Sequence, residues 1–302
     1  MNVRPLKPLA AAAVFAALGT AVLPAAAADW SDTSLSWRYG TAFHEPFDSN
    51  PSGGAQDIKK NIIGLTHADG YKYGTNFFNV DILLSDSKDP ANCQNFVCTG
   101  AAQEAYIVYR NTLDAGKITG KDYKWGIIRD WGGTFGFDLN TKNDAGYNSK
   151  KRMLVVGPTL MMDVPGFLNI SVFGLWESNA PCSTFPGGTC TPRYSYKTHP
   201  ELDLNWGIPI GSSGFNFQGY ADFIAKKGNN EFGGPTAAET HFDGAIMYDV
   251  GAVMGGPKQT FKVGFEYEYW KNKFGNPTTA TGAGAGPGAT AKTPMIRAEY
   301  HF

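Results

Sequence analysis

The chain has 302 residues, with 26 Lys and Arg against 27 Asp and Glu and a formal net charge of −1. That balance excludes the basic field a nucleic-acid binder needs and a polybasic membrane patch. Hydrophobic residues make up 42% and mean hydropathy is −0.26, too polar for a helical membrane protein, yet 14% aromatic residues and 37 glycines suit a transmembrane β-barrel, whose strands need apolar side chains on one face only.

Residues 1–28 read as a secretory signal peptide. Arg4 and Lys7 precede an apolar run over 8–24, and 25–28 offer small residues for cleavage after Ala28. That run falls short of the ~18–20 residues of a spanning helix. Residues 29–302 then form a single domain without linker or solenoid repeat. Period-two runs bounded by turn residues follow at 34–43, 60–68, 74–84, 104–113, 124–138, 152–162, 166–176, 194–206, 214–226, 240–253, 259–272 and 294–302. Most reach the ~9–11 residues that a tilted strand needs to cross a bilayer. The expected fold is all-β, a transmembrane antiparallel β-barrel of about twelve strands.

The connections read as strictly alternating. Short ones fall at 69–73, 114–122, 163–166, 207–214 and 255–258, and long ones at 44–59, 85–103, 140–151, 177–193, 228–239 and 273–293. Short periplasmic turns and long extracellular loops alternate in this way. Gly132-Gly133 predicts a bulge in the fifth strand. The glycine-rich run 282–288 reads as a flexible part of the last loop.

Alternation also assigns the faces. Pro200, Leu202, Leu204 and Trp206 point one way, and His199, Glu201, Asp203 and Asn205 the other. Burying the second set in a dry core would be prohibitive without partners, whereas lining a wet lumen suits it. The same logic aims Arg38, Phe77, Asn79, Asp81, Phe173, Tyr220, Asp222, Glu266, Glu268, Trp270, Arg297 and Glu299 inward, with Thr159 and Ser171 adding softer surface. Both signs of charge occur, so groups could pair across a narrow lumen while still hydrogen-bonding a polar solute. Trp206, Tyr248, Tyr269, Tyr300 and Phe302 fall toward strand ends, where an interfacial girdle lies.

Of the three pairings open to four cysteines, the local ones, Cys93 with Cys98 and Cys182 with Cys190, are favoured, each as a short staple within one long loop. No histidine stands near either pair at ligand spacing, so no metal is expected. No nucleophile motif accompanies His44, His67, His199, His241 or His301. No enzyme activity and no cofactor are expected, with a barrel hydrolase as the alternative.

The segments Trp37-Arg38-Tyr39-Gly40 with Phe43-His44-Glu45-Pro46-Phe47, and Leu65-Thr66-His67-Ala68-Asp69-Gly70-Tyr71 with Gly74-Thr75-Asn76-Phe77-Phe78-Asn79-Val80-Asp81, resemble the nucleoside-specific (Tsx-type) channels of bacterial outer membranes. A last strand ending on Phe302 extends the likeness along the mature chain, since such barrels use a terminal aromatic residue in their assembly signal. The resemblance implies a monomeric twelve-stranded barrel in membrane lipid, with a keyhole-like lumen for passive diffusion of nucleosides. A general small-solute porin is the other reading. The lumen residues named above rest on alternation, not on the resemblance.

Overall fold

Strands that face lipid can satisfy their backbone groups only by pairing into a ring. In the computed structural model the chain does so; it describes residues 28–94, 97–98, 101–142, 144, 146–183, 189–279 and 286–302. Residues 1–27 of the expected signal peptide, the side chains of Cys93 and Cys98, and most of the 282–288 run lie outside the described residues.

Twelve strands form the wall. They are β1 (Trp30–Phe43), β2 (Ile58–Tyr71), β3 (Gly74–Ser85), β4 (Gln103–Asp114), β5 (Ile128–Lys142) and β6 (Arg152–Met162), followed by β7 (Phe167–Asn179), β8 (His199–Pro209), β9 (Phe215–Ile224), β10 (Glu239–Asp249), β11 (Phe261–Lys271) and β12 (Thr290–His301). Each pairs antiparallel with the next, and β12 returns to β1 with His301 opposite Ser34 and Met295 opposite Gly40. The barrel wall has no free edge.

Neighbouring residues on β11 show what faces what. Phe265 is 75% exposed and Glu266 only 2%. A soluble protein reverses that order. Leu35, Trp37, Ile63, Leu154, Val172, Ile246 and Ile296 are likewise exposed on the outer wall. Phe215 stacks against Tyr248 with ring centroids 4.6 Å apart, and Tyr300 lies beside Phe302, so aromatics gather at the turn end of the outer wall.

Three local expectations need correction. The fifth strand starts at Ile128 rather than near 124, and its register shift falls between Ile128 and Asp130, not at Gly132-Gly133. Both glycines stay in register, and at Gly132 the strands approach closely: a Cβ there would sit 1.8 Å from the Leu113 carbonyl oxygen, while one on Gly133 would meet open space. Connection lengths do not alternate strictly either. The turn 115–127 carries a helix, α1 (Ala115–Thr119), capped by the Asp114 carboxylate on the Lys117 amide, and it is longer than the loop 143–151 on the other end. Finally, Tyr194–Ser195 is a separate two-residue strand on β7, and β10 gives way to a short helix, α2 (Val250–Val253).

The interior is fuller than a plain water-filled hole. Phe43, Ile58, Ile62 and Met295 pack together with Leu83 inside the loop half of β1, β2, β3 and β12. Met153, Val155, Phe173 and Leu175 pack with Ile224 inside β6, β7 and β9. Polar side chains share the rest.

Candidate lumen site

Register puts every sequence-predicted lumen residue on the inner face. Arg38, Asn79 and Asp81 stand on β1 and β3, Phe173 on β7, and Glu201, Asp203 and Asn205 on β8. Tyr220, Asp222, Glu266, Glu268, Trp270, Arg297 and Glu299 follow on β9, β11 and β12. Phe77 faces Ala68 and Arg110 across its two neighbours and remains 40% exposed.

They separate into two ionic groups. In the first, Arg38 is paired with Asp81 across β2 and lies 3.5 Å from Glu266, while Arg297 donates to Glu266 at 2.8 Å and is paired with Glu299. Gln218 adds a hydrogen bond to Glu299 at 2.9 Å from β9. Gly64 makes the Arg38 bridge possible, because a Cβ there would sit 2.5 Å from Ser36 Oγ and 2.9 Å from Asp81 Oδ1. In the second group the Arg110 guanidinium binds Asp138 and the carbonyls of Tyr109 and Phe137. Across the lumen stand Glu201, Asp203 and Asp222; Asn205 donates to Asp203 at 2.8 Å, and Asp222 is the register partner of Asp203.

Aromatic surface lies beside these charges. The His241 and Trp270 rings stack at 3.9 Å with 8° between their planes, and Tyr220 meets His241 edge-on at 5.1 Å. His241 is a lumen residue that alternation reaches but that the sequence reading weighed only as a base. Phe173, by contrast, is enclosed in the apolar cluster and 3% exposed, so it fills the barrel rather than faces a solute. Thr159 and Ser171 join Thr134 in a hydroxyl chain with spacings of 2.6 and 2.9 Å.

The loops are tied to one another and to the wall around two carboxylates. Glu45 is paired with Lys60 of β2 and with Lys273 of the last loop at 3.1 Å, and Lys273 also donates to the His44 carbonyl. Gly288 lets the last loop reach the first, since a Cβ would stand 2.1 Å from the Glu45 carbonyl oxygen. Glu231 accepts from Tyr196, from Asn179 at 3.1 Å and from Tyr147 at 3.3 Å, joining three more loop regions. Removing Lys273 should free the last loop. Lys273→Ala is expected to weaken that closure by roughly 1–3 kcal/mol, read as faster proteolysis within residues 272–289.

Titration at the mouth follows from the same contacts. Burial opposes ionisation of Glu45, but Lys273 and Lys60 outweigh it and hold the carboxyl well below the usual range. Burial, with Asp89 and Glu45 nearby, instead pushes Asp48 up to about 6. An acid whose folded value is raised favours the closed loop below its unfolded value, and that contribution is lost as pH rises through about 6. Amide protection factors in residues 44–57 (exchange corrected for its intrinsic pH dependence) should therefore fall between about pH 4 and 6, and Asp48→Asn should flatten the response.

Histidine contacts were only partly visible in the sequence. His199 lies 3.9 Å from Glu177 of β7. On the outer wall, Thr33 Oγ1 lies 2.7 Å from His67 Nδ1, and His67 Nε2 lies 3.3 Å from Asp69. Thr33 and His67 are cross-strand partners, so the contact follows from register and ties β1 to β2. The described Cys182–Cys190 disulfide closes a ribbon in the loop after β7, while Cys93 and Cys98 stand opposite each other in backbone register.

No protein-family model matches the sequence, and no curated protein matches it. Among solved structures, the translocator domain of the autotransporter NalP from Neisseria meningitidis aligns at 10% identity and TM-score 0.46, covering 90% of this chain and 88% of that one. The KdgM porin aligns at 9% identity and TM-score 0.39, covering 89% and 99%. OccK9 (OpdG) of Pseudomonas aeruginosa aligns at 9% identity and TM-score 0.31, covering 90% and 98%. The strand pairing of this chain, independent of those likenesses, makes it a closed twelve-stranded transmembrane β-barrel.

Proposed function

We propose that the protein is a monomeric channel of the Gram-negative outer membrane, exported with a signal peptide, through which small amphiphilic solutes diffuse passively, nucleosides first among them. The observation that carries this reading is the inner face itself: ion pairs and amides beside the exposed Phe77 and the stacked His241–Trp270 pair, inside a wall whose exterior is apolar. A nucleoside has a flat base to stack and ribose hydroxyls that need partners in exchange for water. Where packed side chains share the interior, as around Phe173 and Leu175, a solute must trade contacts with the wall, which favours selection over bulk flow. The sequence resemblance to nucleoside-specific channels points the same way.

Liposomes carrying the purified protein should swell faster in adenosine than in a sugar of similar size, and adenosine should depress the ion current. Equal rates for the two would remove the nucleoside preference and leave a general small-solute pore. No permeation at all would remove the channel.

A further inference from the structure

The inner wall is electrically lopsided. Glu201 and Asp203 stand two residues apart on β8, and Asp222 faces Asp203 from β9. Asp203 and Asp222 approach within hydrogen-bond range of one another. Among the described residues none of these three carboxylates is ion-paired, although Glu201 is only 6% exposed. The arginines whose fields reach them are ion-paired elsewhere, and Lys151, which makes no ion pair among the described residues, offsets their charge only in part. Arg110 is bound to Asp138, Arg38 to Asp81 and Glu266, and Lys151 donates to the Tyr106 hydroxyl. A second observation points to a ligand: Glu201 Oε2 is buried and accepts no hydrogen bond.

Enclosed carboxylates set face to face cannot all stay ionised unless something positive, or a proton, sits between them. We propose that Glu201, Asp203 and Asp222 form a station for a single positive charge, either an alkali cation or the ammonium head of a small organic solute, and that this station biases the lumen toward cations. The inference rests on the channel reading for its consequence in transport, but not for binding. A monovalent guest fits the task, since a carried ion must bind weakly enough to leave.

Two measurements separate the claims. In planar bilayers under a KCl gradient, the reversal potential should report roughly tenfold preference for K+ over Cl−, and Asp203→Asn combined with Asp222→Asn should bring the ratio toward unity. In detergent micelles, with no transport required, line broadening of Tl+ and saturation transfer to methylammonium should both detect binding that the double variant loses. Asparagine keeps the shape and can still accept from Asn205, so the variant should fold, which heat-modifiable gel mobility checks. Binding by only one probe identifies the guest as inorganic or organic and supports the station. No binding by either probe, binding unchanged in the double variant, or a conducting wild type without cation preference would each overturn it. Binding lost in the variant by a protein that does not conduct would uphold the station and end the channel reading instead.

Discussion

Arginine in place of Phe265 is expected to impair insertion and destabilise the barrel in bilayers. Phe265 sits at the middle of β11 on the outer wall, between Ile246 and Ile296 in the ladder, and all three side chains are exposed. A guanidinium there must snorkel or drag water into hydrocarbon, at a cost of about 2–4 kcal/mol near the midplane. The cost falls toward the interface, so Tyr269→Arg, closer to the loop end of the same face, should cost about 0–1 kcal/mol. Urea titrations of the protein in lipid vesicles, followed by heat-modifiable mobility, measure both. Equal penalties at the two positions would mean that the apolar belt does not meet lipid as described.

Glu266→Ala should be nearly as damaging, for the opposite reason. The carboxylate is buried on the inner face and holds Arg297 at 2.8 Å and Arg38 at 3.5 Å. Breaking a buried pair costs about 3–5 kcal/mol because the partner charge is stranded. Arg38 retains Asp81 and Arg297 retains Glu299, so the lower end of that range is expected. The lumen also gains one net positive charge, and single-channel current should shift away from cations. An unchanged urea midpoint would show that water already solvates these groups.

The wall was legible in the sequence because a period of two survives without knowledge of neighbours. Knowing only that Phe265 and Glu266 alternate with like residues is enough to place both. Glycine misled where its role was not local: Gly132 serves a tight approach to the backbone of β4, whereas the bulge falls at Arg129, which carries no signature. The α1 helix lengthened a turn expected to be short, although Asp114 and Lys117 stand at capping distance in the sequence. Contacts made between distant segments were invisible altogether. Nothing near Glu45 announces Lys273, nor does Glu231 announce Tyr147, Asn179 and Tyr196. Thr33 and His67 meet only once the register of β1 on β2 is known. The apolar filling around Phe173 was hidden in the same way, since alternation tells inside from outside but not filled from open.

The pairing of β1 with β12 also governs the order of assembly. A wall sewn between its first and last strands cannot be sealed until almost the whole polypeptide has been delivered to it. Every earlier intermediate is a curved sheet with two raw margins, each able to recruit a neighbouring molecule. Closure joins residues at opposite ends of the wall, the kind of long-range pairing that slows folding, so shielding those margins during biogenesis matters alongside the final architecture.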